Sequence, residues 1–146
     1  MDAETGLPFV DEQHTTVPAP APVAWELLCA RVPRFADAET YARLIGARPR
    51  GFSGGPLAEG STLPGFEVTE AVPGRLLRLA GRHYFSRYQL VLTLTEEDGG
   101  TRLGARTYAE FPGVHGVAYR ALVIGSGAHR FFVARLLRGV REAAGR

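Results

Sequence analysis

Turn residues cut the stretch from Gly65 to Phe111 into four consecutive strand-length segments, and one amphipathic stretch then runs to the C-terminus. Pro73-Gly74 separates Phe66–Val72 from Arg75–Gly81. A turn near Arg82-His83 leads into Tyr84–Thr95, and Asp98-Gly99-Gly100 leads into Thr101–Phe111. Tight turns make neighbouring strands pair antiparallel. A curved antiparallel sheet closed by a single long helix makes a container rather than a surface reader.

Counting outward from the turns assigns faces, because cross-strand partners share one. One row holds Val68, Leu79, Ser86 and Phe111. The next holds Glu70, Leu77, Tyr88 and Ala109, and a third Val72, Arg75, Leu90 and Thr107. Leu92 with Ala105 and Leu94 with Leu103 complete a mostly apolar face, which is expected to point inward. The opposite face carries Arg78, Arg87, Gln89, Arg106, Tyr108 and Glu110, with Arg87 opposite Glu110 as an exposed pair. A one-residue slip would reverse these faces.

Ahead of the strands, residues 1–10 read as a loose leader and Asp11–Val17 as a first strand ended by Pro18-Ala19-Pro20. Pro22 suits the first turn of a helix. Trp25, Leu28, Cys29 and Val32 form its apolar stripe, and Pro33 is expected to stop it. A second short helix fits Asp37–Ile45, with Gly46 as its stop. Segment 48–64 reads as a lid-like loop or as one hiding a short strand near Pro56–Ser61. Gly55–Thr62 only superficially spells a phosphate-binding loop, since Ser61 stands where that motif needs lysine.

Pro112-Gly113 breaks the last strand, and Val114 to about Ala144 reads as helix. Its expected stripe is Val117, Ala118, Ala121, Ile124, Ala128, Phe132 and Leu136. Gly125-Ser126-Gly127 interrupts it, either as a kink or as a close approach to the sheet. Small residues there and at Ala105 and Ala109 would thin the packing and leave room for a ligand.

Composition narrows the chemistry. The chain has 146 residues and 17 basic residues, all arginine. With no lysine there is no Schiff base and no phosphate-loop lysine. Cys29 is the single cysteine, so no intrachain disulfide forms. That usage, with no basic and apolar leader at Met1–Pro8, makes a cytoplasmic protein the expectation. No apolar run approaches the ~20 residues of a membrane span. The arginines after Tyr119 read as a solvated helix face, because no aromatic stacking platform accompanies them.

The order strand, two helices, strand run and long C-terminal helix resembles the helix-grip fold of the START/polyketide cyclase (SRPBCC) superfamily. Pro20–Leu28 (PAPVAWELL) looks like that family's start of the first helix. Gly60–Leu77 looks like its central hairpin, and Gly100-Thr101-Arg102-Leu103 like its "GTrl" turn. The resemblance implies an α+β domain over residues 1–146, a curved antiparallel sheet with two short helices and one long C-terminal helix over an internal cavity. It implies a hydrophobic or amphipathic small-molecule ligand. It implies either cofactor-free cyclisation or dehydration, or a non-catalytic carrier or regulator. No cofactor, nucleic acid or membrane insertion is expected, and a homodimer is compatible with the chain.

On the inward face Glu70 is the candidate base, since an apolar cavity raises a carboxyl pKa; the alternative is a pair with Arg75. Tyr88 or His129 would act as acid or orienting group. Tyr84, Ser86 and Thr107 offer polar tips to a ligand. Trp25, Leu77, Leu90, Gly125 and Phe132 complete the expected lining. His14, His83, His115 and His129 have no metal-ligand spacing, so no metal is expected. Ser126 lacks the strand–elbow–helix context of a hydrolase nucleophile.

Overall fold

The computed structural model describes residues 6–36, 58–63, 66–83, 86–121 and 128–145; of these, nothing is described for the side chains of 34–36, 83, 128 and 129. Strand β1 (Phe9–Val17) leads into helix α1 (Ala21–Ala36). Strands β2 (Thr62–Leu63), β3 (Phe66–Val72), β4 (Leu76–His83), β5 (Ser86–Glu97) and β6 (Gly100–Glu110) follow. Helices α2 (Gly113–Arg120) and α3 (Ala128–Ala144) end the chain. The six strands form one curved antiparallel sheet in the order β1-β6-β5-β4-β3-β2. The expected helix at Asp37–Ile45, Tyr84 and the Gly125-Ser126-Gly127 interruption lie outside the described residues.

Gly99 adopts φ 83° in the turn between β5 and β6, a left-handed conformation that favours glycine. From there the ladder runs Leu94↔Leu103, Leu92↔Ala105, Leu90↔Thr107 and Tyr88↔Ala109, as the turn chemistry predicts. Arg87 stands opposite Glu110, 3.7 Å from it.

Two other turns correct the expected register. The β4–β5 ladder runs on to His83↔Ser86, so the chain does not turn at Arg82-His83. Leu79 therefore pairs with Leu90 rather than Ser86, and Leu77 with Leu92 rather than Tyr88. The displacement is even, so every residue keeps its face. The β3–β4 turn differs in the other way. Its loop takes three residues, Pro73 to Arg75, with Gly74 at φ 78°, and Val72 pairs with Leu76 instead of Arg75. This odd shift turns Val72 and Glu70 to the outer face and brings Ala71 inward against Leu77. A bulge at Thr69 absorbs the extra residue, so Val68↔Leu79 returns to the expected pairing.

Helix α1 continues through Pro33 to Ala36. Pro33 sits in the last turn, where a missing N–H forfeits only one late helical bond. Ala24, Leu28 and Val32 are fully buried, with Trp25 and Cys29 partly buried beside them. Helix α3 buries Val133, Leu136, Leu137 and Val140. Phe132 and Val117, expected on one continuous stripe, are instead exposed. Leu136 is buried as expected, and Val133, Leu137 and Val140 rather than Phe132 complete the buried stripe of α3.

The core lies between the sheet's inner face, α1 and α3, around Val17, Leu77, Leu79, Leu92 and Leu103. At its edge Thr101, fully buried, donates its hydroxyl to the Ala19 carbonyl at 2.7 Å. That bond ties the start of β6 to the link between β1 and α1. Thr101→Val keeps the shape but leaves a buried carbonyl without this donor. It is expected to cost about 1–3 kcal/mol in chemical denaturation.

Candidate functional site

The inner sheet face changes character along its length. Toward the Asp98-Gly99 turn it is Leu77, Leu92, Leu94 and Leu103, packed under α1 and the C-terminal half of α3. Toward the other end it presents Ser86, Tyr88, Thr107 and Ala109, with Leu90 between them. The ladders place these residues on adjoining rungs: Gly81, Tyr88 and Ala109 on one, Val68, Leu79, Leu90, Thr107 and Asp11 on the next. Of the residues expected at the site, Tyr88, Leu90 and Thr107 are thus brought together. Ser86 lies two residues along β5 from Tyr88, on the same face.

Ser86 and Thr107 are buried, as polar groups in a mostly apolar wall. The Tyr88 ring meets Phe66 edge-on with centroids 5.4 Å apart. Burial pushes its phenol far above the ordinary 10.0. At neutral pH it is therefore an uncharged donor and acceptor, not a phenolate.

Other expected residues fall elsewhere. Leu77 belongs to the packed core, and Trp25 packs only partly against it. Phe132 is 54% exposed and meets Phe131 edge-on at 5.6 Å. Gly125, Tyr84 and the side chain of His129 lie outside the described residues. Glu70 is the substantive correction. The three-residue turn carries it to the outer face, where its carboxylate lies 3.5 Å from Arg78, not Arg75. That carboxylate is 41% exposed, and its place on the inner face is taken by Ala71.

The inner face does hold a carboxylate that the sequence reading did not single out. Asp11 pairs with Thr107, and its side chain is 13% exposed. Arg130 donates from Nη1 to its Oδ2 at 3.3 Å, while Gln13 Nε2 donates to the Arg130 carbonyl at 3.2 Å. Together they clamp β1 to the first turn of α3 beside Thr107. The signal was available: Asp11, Gln13, Thr15 and Val17 alternate in β1, and Val17 is an evident core residue, so its row-mates share its face.

The outer face is not uniformly solvated. Tyr108 is buried there under Phe9, with ring centroids 5.8 Å apart. A half-open cleft of about 460 Å³ lies beside it across β4, β5, β6 and β1. Among the described residues no three His, Cys, Asp or Glu side chains are placed to share a metal ion. None of the described helices is long and apolar enough to cross a membrane.

The sequence matches no family model and no curated protein. Solved structures share its architecture. A conserved protein from Geobacillus kaustophilus has TM-score 0.56 at 16% identity, over 92% of this chain and 93% of that one. CalU16 from Micromonospora echinospora has TM-score 0.52 at 17% identity, over 92% and 82%. Ara h 8.0201 has TM-score 0.52 at 10% identity, over 92% and 95%. The chain has the START-like helix-grip fold. At such identities the likeness fixes the START-like architecture and nothing finer.

Burial of the Tyr88 phenol has a consequence for stability. The unfolded chain ionises this tyrosine near the ordinary value while the folded chain keeps it protonated. Its contribution is therefore complete below about pH 10 and is lost as pH rises beyond that. Denaturation midpoints measured from pH 8 upward are expected to fall above about pH 10, and Tyr88→Phe to flatten part of that fall.

Proposed function

We propose that this START-like protein binds a hydrophobic or amphipathic small molecule against the inner sheet face, under the closing helix. The observation that carries the reading is the set of Ser86, Tyr88 and Thr107, with the Asp11–Arg130 pair beside Thr107, on one end of a mostly apolar face. A ligand site in such a fold needs mostly apolar walls with a few polar groups that fix orientation. The apolar rings of Phe131 and Phe132, exposed on the first turns of α3, support it, because that helix end is where a ligand would pass.

Binding or carriage is the favoured activity, ahead of cyclisation or dehydration. The acid–base alternative rested on a carboxyl group raised in pKa by an apolar site. Glu70 stands on the other face beside a guanidinium, and Asp11 is already engaged by Arg130. Tyr88, a neutral phenol, suits orienting a ligand carbonyl or hydroxyl better than abstracting a proton.

Nile red, an uncharged amphipathic dye, tests this reading. The wild-type protein is expected to enhance and blue-shift its fluorescence saturably. Ala109→Phe puts a bulky ring on the rung beside Tyr88 and is expected to weaken binding at least about tenfold, or about 1.4 kcal/mol. Tyr88→Phe, which keeps the ring, is the milder control for a variant that fails to fold. Absence of saturable binding by the wild type, or unchanged binding by both folded variants, overturns the proposal. Glu70→Gln is expected to leave dye binding unchanged and to cost no more than about 1 kcal/mol of stability.

A further inference from the structure

The cleft on the outer face has no part in the reading above. Three consecutive rungs build it. One runs Arg78, Val91, Arg106 and Glu12; the next Leu76, Thr93, Gly104 and His14; the third Thr95, Arg102 and Thr16. All but Thr16 line the same half-open volume of about 460 Å³, within the range of small-molecule sites.

Its shape follows from Gly104. That position contributes no side chain to the floor. A Cβ there would lie 3.0 Å from Thr93 Oγ1 and 3.1 Å from His14 Cδ2, so both side chains lean over the glycine as walls. Leu76 and Val91 supply apolar surface, with Val91 only 7% exposed.

Glu12 serves two partners at once, His14 Nε2 at 2.6 Å and Arg106 Nε at 3.4 Å. Glu70 serves Arg78. Arg102, exposed at the cleft's third rung, has no carboxylate partner among the described residues. Arg102 therefore brings a guanidinium charge without a carboxylate partner among the described residues to the edge of an apolar wall.

We infer that this cleft is a second binding site, for a small organic carboxylate. The carboxylate would be held by Arg102, whose planar fork matches its two oxygens, near Arg106, which is already engaged by Glu12 and Tyr108. The apolar body would rest on Leu76 and Val91. That wall is why an organic anion suits the cleft better than bare phosphate. The site lies on the far face of the sheet from Tyr88 and stands or falls independently of it.

Benzoate titrated into isotopically labelled protein tests the inference, with inorganic phosphate as the comparison. Binding with a dissociation constant of about 1 mM or tighter is expected. Its amide shift changes should centre on Thr93, Thr95 and Gly104. Arg102→Ala is expected to weaken it at least about tenfold, and Arg102→Glu to abolish it. Both substitutions are at an exposed position, and unchanged Nile red binding or an unchanged amide spectrum reports that they fold. The inference is overturned if Thr93 and Gly104 do not shift at about 10 mM benzoate. It is equally overturned if the folded Arg102→Ala variant binds as wild type, or if phosphate binds as tightly as benzoate.

Discussion

The β5–β6 ladder is the constraint on which the rest of the molecule depends. Its turn at Asp98-Gly99 needs a left-handed backbone that Gly99 supplies, and this sets eleven consecutive pairs. Those pairs decide which side chains meet α1 and α3 and which meet solvent. β4 then joins one edge of this hairpin and β1 the other, so every row across the sheet inherits its register. Thr101, at the start of the ladder, adds the bond to Ala19 that brings α1 onto the same face. A slip of one residue in this hairpin would exchange the Leu92–Ala105 row for the Val91–Arg106 row and put guanidinium groups under the helices.

The β3–β4 hairpin shows how little separates the two faces. One extra residue in its loop moves Glu70 and Val72 outward and Ala71 inward, and the bulge at Thr69 cancels the change four residues from the turn. The Glu70 carboxylate of the Glu70–Arg78 pair is 41% exposed, so the pair is worth no more than about 1 kcal/mol and does not dictate the arrangement. The apolar rows do. Val68 must lie against Leu79 on the core side, and Ala71 is small enough to close the row at Leu77. A carboxylate kept inward at that point would face Leu77 and Leu92 with nothing to pair with, at a cost of several kcal/mol.

These differences explain what was legible in the chain. The order of the strands, the β5–β6 pairing and the Arg87–Glu110 contact could be read because Asp-Gly-Gly restricts the turn to few geometries. The β3–β4 register could not, because Pro-Gly serves a two-residue and a three-residue loop alike. The buried stripe of α3 was legible only in part. A stripe counted onward from Val117 predicts Phe132, whereas Val133, Leu136, Leu137 and Val140 are the residues that Ala128–Ala144 buries. For the candidate site, Tyr88 and Thr107 were legible by alternation within one well-registered hairpin. Asp11 was overlooked although alternation with Val17 fixes its face, because no local turn marks Thr107 on β6 as its partner.

The sheet thus has two ends and two faces with different physical duties. The Leu77–Leu92–Leu103 end makes the dense contacts that stabilise the fold, and substitutions there carry the large penalties of core truncation. On the proposed reading, the Ser86–Tyr88–Thr107 end, with its polar tips, is where a ligand would cover wall that leucines do not fill. Sites and stability elements separate for this reason: a wall already filled by leucine has no free energy left for a ligand to gain. The outer cleft extends the same logic. The Arg102 guanidinium charge adds nothing to the fold while it remains solvated, and it becomes favourable only when an anion with an apolar body brings its own desolvated surface to Leu76 and Val91.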